Sequence, residues 1–206
     1  MNILFPLLIL FFAALLFLLA ALYFLLLLPR FRSPDCSALM GYFYAHRGFH
    51  NLEEGIPENS MKAFRLAVEK GYGIELDVQL SADGIPVVFH DNTLTRMCGV
   101  DRRVRELTLA ELKALSLGGT EERIPTFQEF LEMVDGRVPL IVEIKMEKWD
   151  ARIPAAANEL LKEYKGPYCI ESFHPGALVW YRKHRPDVFR GQLCTNFNKE
   201  HMNHSL

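Results

Sequence analysis

Apolar and polar residues alternate without interruption from Ile74 to Leu80 (IELDVQL), the period of a β-strand. Ile85 to Phe89 (IPVVF) is β-branched and aromatic, and Ala82-Asp83-Gly84 between the two runs predicts a tight hairpin turn. With Ala82 opposite Ile85, the register sets Asp77 opposite His90 and Glu75 two residues further along the same face. Two carboxylates and an imidazole then converge. A surface hairpin with solvated acids and a terminal histidine satisfies the same pattern, so the rest of the chain must decide between the two.

The same reading gives a strand over Gly41 to His46 (GYFYAH) and a helix from Pro57-Glu58-Asn59-Ser60 through Lys70, capped by Asn59 or Ser60 and stopped by Gly71. Thr108-Leu109-Ala110-Glu111-Leu112 opens a capped helix. Thr126 to Leu131 opens another, with Glu129 at the capping-box position. Then come a strand at Val138 to Lys145, a helix from about Ala151 to Tyr164, a strand at Tyr168 to Phe173, a helix from Pro175 to Lys183 and a strand at Val188 to Leu193. Alternating strands and helices predict an α/β fold with a parallel sheet, whose working residues gather at the C-terminal ends of the strands.

By that rule His46 ends the first strand, Glu75 and Asp77 lie toward the end of the second, Glu143 and Lys145 end the third, and Glu171 ends the fourth. A carboxylate inside an apolar strand is costly to bury unless it pairs or binds a cation, so Glu143 is either a ligand or the partner of Lys145.

The N-terminus adds a different element. Ile3 to Leu28 is uncharged and rich in Leu and Phe, and at about 1.5 Å per residue it is long enough for the roughly 30 Å hydrocarbon core of a bilayer. It lacks the basic start and cleavage site of a secretory signal, so residues 1–28 are assigned to a transmembrane helix, 29–40 to a linker and 41–206 to one domain. Arg30 and Arg32 follow the span, which places the domain in the cytoplasm. The net charge of −2 argues against a nucleic-acid partner. Cys36, Cys98, Cys169 and Cys194 show no metal-type spacing and are expected to be buried reduced thiols.

Together these residues resemble the glycerophosphodiester phosphodiesterase family, a branch of the phospholipase-C-like phosphodiesterases on a TIM-barrel fold. The likeness runs through Ala45-His46-Arg47-Gly48, Pro57-Glu58-Asn59-Ser60, Ile74 to Leu80, Asp83-Gly84, Pro86 to Asp91, Thr93 to Arg96, Ile124-Pro125-Thr126 and Glu143-Ile144-Lys145. It implies that Glu75, Asp77 and Glu143 hold a divalent cation, that His46 and His90 act as an acid/base pair, and that Arg47 and Lys145 grip the phosphate. Glu58 falls where the family keeps an acid, either near the metal or supporting a histidine. Three carboxylates suit a hard ion, Mg²⁺ or Ca²⁺, better than zinc.

The resemblance implies hydrolysis of glycerophosphodiesters to sn-glycerol 3-phosphate and an alcohol, in lipid and glycerol metabolism, and the N-terminal span makes the expected enzyme a single-pass membrane protein. Which histidine is the acid stays open, as does direct hydrolysis against a cyclic phosphate intermediate. The barrel is expected to be truncated after about five of its eight strands. Two alternatives therefore stand beside the enzyme: a membrane-surface (lyso)phospholipase acting on intact lipid, and an inactive barrel fragment with an interaction-only role. His50 is placed at the mouth of the site, and His174, His184, His201 and His204 are read as solvent-facing or packing residues.

Overall fold

The computed structural model describes residues 4–27 and 34–195, in two units divided after Ser33. The first is helix α1 (Leu4–Leu27), apolar along its whole length. Its window Pro6–Tyr23 has a mean hydropathy of 2.6, long and apolar enough to cross a membrane, a test that a signal sequence also passes.

The second unit begins at Pro34, and within it the Tyr44 hydroxyl donates to the Leu39 carbonyl (2.7 Å), tying the preceding turn to the first strand. The strands are β1 (Tyr44–His46), β2 (Gly73–Leu80), β3 (Pro86–Val88), β4 (Leu140–Ile144), β5 (Tyr168–Ser172) and β6 (Phe189–Gln192). The helices that follow α1 are α2 (Met61–Glu69), α3 (Thr95–Cys98), α4 (Leu109–Ala114), α5 (Phe127–Val134), α6 (Arg152–Leu161) and α7 (Pro175–His184). Strands β1, β2, β4, β5 and β6 lie side by side in chain order and all parallel, the winding of a (β/α) barrel. Strand β3 alone is antiparallel, folded back on the end of β2.

One sheet face is apolar and the other carries the chemistry. Ile74, Leu76, Val78, Val142, Ile144 and Ile170 are fully buried against Phe64 of α2, Phe127 and Phe130 of α5, Ala157 of α6 and Tyr181 of α7. A smaller core under the β3 excursion joins Val87, Phe89, Leu94, Met97, Leu112 and Ile124. The short α3 inside this excursion was not apparent in the hydrophobic pattern, because four residues are too few to show a helical period. Ser60 caps α2 by accepting from the Ala63 amide, and Thr126 and Glu129 form the expected capping box on α5.

Two sequence expectations need correction. Val78 pairs with Val88, and the Phe89 amide donates to the Asp77 carbonyl, so Asp77 lies beside Phe89 rather than opposite His90. The turn holds three residues instead of two: Ser81 exchanges with Ile85, its Oγ accepting the Ile85 amide at 2.9 Å, and Gly84 takes a left-handed φ of +80°. Of the four cysteines, all free, only Cys169 is buried, while Cys36 and Cys98 are half-buried and Cys194 is exposed. Cys194 follows β6 and has left the core.

Because Thr126 caps a helix that carries four buried apolar side chains, Thr126→Ala is expected to lower the unfolding free energy by about 1 kcal/mol. Urea denaturation of the full chain measures this, with Gln128→Ala on the exposed face of α5 as a near-neutral control.

Candidate active site

The site is built on one edge of β2. β1 runs parallel along that edge, pairing Tyr44–His46 with Gly73–Glu75, and β3 returns antiparallel along its second half, pairing Pro86–Val88 with Val78–Leu80. The two chains meet almost head to head: the Glu75 carbonyl accepts the Arg47 amide (3.0 Å), and the Asp77 carbonyl accepts the Phe89 amide (3.0 Å). His46, the last residue of β1, and His90, just beyond β3, are thereby drawn to one end of β2. The expected meeting of imidazoles and carboxylates holds, although the register that first suggested it was off by one.

Glu75, Asp77 and Glu143 lie together, each offering an oxygen within 4.8 Å of the others. Parallel pairing sets Asp77 beside Glu143 and Glu143 beside Glu171, a row of carboxylates across three strands. Asp77 is fully buried, and Glu75 and Glu143 are 7% and 6% exposed. Burial first, then the neighbouring charge of Asp77, pushes the Glu75 carboxyl up to about 8. Burial also raises Glu143, against the pull of Lys145, and burial together with Glu143 raises Glu171 to about 7.

Cationic and amide groups compensate this cluster only in part. Lys145 Nζ stands 2.9 Å from Glu143 Oε1 and 3.3 Å from Asp77 Oδ1, so the lysine–glutamate pair weighed from the sequence is formed and extends to a second acid. Asn59, almost completely buried with φ +52°, donates its amide to Asp77 Oδ2 at 2.8 Å. Asp77 Oδ1 has no hydrogen bond of its own. Converging oxygens that resist losing their protons and are incompletely satisfied fit a hard divalent cation, which would be held by Glu75, Asp77 and Glu143.

Arg47 takes φ +57°, turning sharply so that its amide also donates to Glu75 Oε2 (3.0 Å) and its Nε lies 3.6 Å from Asp77 Oδ2. Gly48 follows at φ +82°, where a Cβ would come within 2.9 Å of the Phe64 ring. Glu58 pairs with Arg47 Nη1 at 2.9 Å and sits outside the carboxylate cluster, in contact with arginines instead of a histidine. His46 is largely exposed, its Nε2 3.8 Å from Glu75 Oε2, and partial burial and the Arg47 charge lower its pKa from the ordinary histidine value.

His90 lines a cleft of about 440 Å³ with Glu143, Lys145, Asn92 and Phe173. Its Nδ1 lies 2.6 Å from Asp91 Oδ1. From below, the buried Gln79 amide donates to the carbonyls of Phe89 (2.8 Å), His90 (3.3 Å) and Asp91 (2.8 Å).

The sequence pattern brings together His46, Arg47, Glu75, Asp77, His90, Glu143 and Lys145, and gives no role in the site to Asn59, Gln79, Asp91 or Arg96. Gln79 was within reach, since it continues the Glu75–Asp77 face at the next alternate position. Asn59 was masked by its reading as a helix cap. His50 is exposed close to the site, His174 caps α7 by accepting the Gly176 amide, and His184 stacks on Trp180. His201 and His204 lie outside the described residues.

Stability should report on the buried acids. In the cation-free fold Glu75 keeps its proton up to about pH 8, against about 4.5 in the unfolded chain, so the native state binds the extra proton between those values. The stability from that protonation is full below about pH 4.5 and is lost as the pH rises toward 8. Thermal unfolding in chelator is therefore expected to show Glu75→Gln gaining on the unsubstituted chain across this window. Mg²⁺ or Ca²⁺ should raise the Tm of the unsubstituted chain alone, and parallel Tm profiles for the two would refute this account.

Residues 46–204 match the model of the glycerophosphoryl diester phosphodiesterase family. A glycerophosphodiester phosphodiesterase from Caldanaerobacter subterraneus is 39% identical over 161 residues, covering 72% of this chain and 65% of its own. Human glycerophosphodiester phosphodiesterase 1 is 31% identical over 157 residues, 70% of this chain and 46% of its own. Among solved structures, an Oleispira antarctica phosphodiesterase in complex with the product sn-glycerol-3-phosphate matches with a TM-score of 0.70 and 32% identity, covering 81% of this chain and 72% of that one. This chain thus spans just under two thirds of the length of the bacterial relative and about half that of the human one. The family match and the shared fold agree with the residues gathered at the end of β2, and the chain belongs to the glycerophosphoryl diester phosphodiesterase family.

Proposed function

We propose that this chain carries the catalytic residues of a divalent-cation-dependent phosphodiesterase that hydrolyses glycerophosphodiesters to sn-glycerol 3-phosphate and an alcohol. The observation that carries the reading is the convergence of His46 and His90 on the buried Glu75–Asp77–Glu143 cluster, with Arg47 and Lys145 beside it. The product held by the Oleispira relative supports the substrate class.

Arg47 and Lys145 bind the phosphate, placing fixed positive charge where the transition state gathers negative charge. A Mg²⁺ or Ca²⁺ ion at the three carboxylates would add Lewis-acid stabilisation of the phosphoryl oxygens. One histidine takes the proton of the attacking hydroxyl or water as its oxygen bonds to phosphorus. The other gives a proton to the departing alkoxide as the second P–O bond breaks. Gln79 and Asn59 hold His90 and Asp77 in place.

The apolar α1 supports anchoring to a membrane, and Arg30 and Arg32 support a cytoplasmic domain. It also favours a second reading, a membrane-surface (lyso)phospholipase acting on intact lipid, which comparison of lysophospholipid with glycerophosphodiester turnover separates.

His46→Ala and His90→Ala should each lower kcat/KM for a glycerophosphodiester by roughly 10²–10⁴-fold. The assay is release of sn-glycerol 3-phosphate by the full chain in detergent with Mg²⁺ or Ca²⁺. Undiminished turnover in either variant, or unchanged turnover in excess chelator, contradicts the reading.

A further inference from the structure

The loops that carry Arg47 and His90 are joined by a side chain to which the proposed reaction assigns no role. Arg96, on α3, spreads its guanidinium between two carboxylates: Nε donates to Asp91 Oδ2 (2.7 Å), Nη1 to Glu58 Oε2 (3.0 Å) and Nη2 to Glu58 Oε1 (2.6 Å). Asp91 turns its other oxygen to His90 Nδ1 at 2.6 Å, and Glu58 Oε1 also accepts from Arg47 Nη1 at 2.9 Å. The chain of contacts His90–Asp91–Arg96–Glu58–Arg47 is unbroken and reaches Asp77 through Arg47 Nε at 3.6 Å.

We propose that Arg96 is a positioning residue that locks Asp91 against His90, fixing the imidazole with its proton on Nδ1 and its Nε2 free for proton transfer in the cleft. The proposal rests on the phosphodiesterase reading for the use His90 makes of Nε2, but the locking itself is geometric. An ionised carboxylate can only accept, so the short contact requires the proton on Nδ1. Asp91 is ionised throughout the working range: burial alone would raise it, and the hydrogen bonds from His90 and Arg96 hold it well below the ordinary aspartate value. A planar fork is needed, because one guanidinium spans both Asp91 and Glu58, whereas an ammonium is a point charge with no fixed plane. Arg96 is about half exposed, so its ion pairs contribute little to stability, and its effect should appear in orientation.

The test uses the full chain in detergent micelles with ¹⁵N-labelled histidine, the His90 resonances identified by their loss in His90→Gln. At a pH where His90 is neutral, the unsubstituted chain is expected to show the Nδ1–H tautomer. Arg96→Gln and Asp91→Asn should both shift it toward Nε2–H. Arg96→Gln should lower kcat roughly 10- to 100-fold, the scale seen when an outer partner of a working histidine is lost, with Tm little changed, and Arg96→Lys should fail to restore it. An unaltered tautomer in Arg96→Gln, an altered tautomer with unchanged kcat, or full recovery in Arg96→Lys overturns the proposal. Absence of turnover in the unsubstituted chain would refute the phosphodiesterase reading instead, and the tautomer measurement would still decide the locking.

Discussion

The structure depends on a single strand edge shared between two partners. β2 gives the first half of one edge to β1 and the second half to β3, so its carbonyls at Glu75 and Asp77 receive amides from chains arriving in opposite directions. Both arriving chains must leave the sheet where they meet, because no further edge is available to pair. The departing residues are Arg47 on one side and His90 on the other, directly above the two acids whose backbone they have just left.

The chemistry follows from what that geometry costs. Parallel strands in register place Asp77, Glu143 and Glu171 in a row, and Glu75 lies one alternate position below. Like charges buried together raise one another's proton affinity, which appears in Glu75 and Glu171. Lys145 relieves Asp77 and Glu143, and Asn59 supplies an amide, yet Asp77 Oδ1 remains without a hydrogen bond. A fold seeking stability alone would place apolar residues here, since buried charge clusters are poor stabilisers. The cluster persists because the apolar sheet face, packed by Phe64, Phe127, Phe130 and Tyr181, supplies the burial energy on the other side.

Above the buried layer lies a partly buried network of Arg47, Glu58, Asp91 and Arg96. It connects the loop after β1 to the loop after β3, segments distant in sequence that the backbone alone brings only to neighbouring carbonyls. In the proposed reaction the division of labour follows depth: buried carboxylates for a cation, partly buried cations for phosphate, and histidines nearest solvent, where proton exchange is fast.

Much of this is legible in the sequence. The alternation of Ile74 to Leu80, the Thr126–Glu129 capping box and the strand–helix rhythm are local, because side-chain period and capping depend on residues within one turn or one pleat. So was the sorting of His46, Glu75, Asp77, Glu143 and Lys145 to one rim, which follows from parallel strands sharing a direction. The hairpin register was misread by one residue, since Ser81 Oγ bonding the Ile85 amide and Gly84 in its left-handed turn decide loop length, and neither is visible in the alternation. Side-chain alternation and the strand–helix rhythm settle which residue types face the sheet interior and in which order the strands come. The bridging of Glu58 and Asp91 by Arg96, the gathering of three carbonyls by Gln79 and the hold of Asn59 on Asp77 arise from the folded arrangement. The physical reason is that these contacts are made between loops, and a loop's partners are set by where the packed sheet delivers its ends.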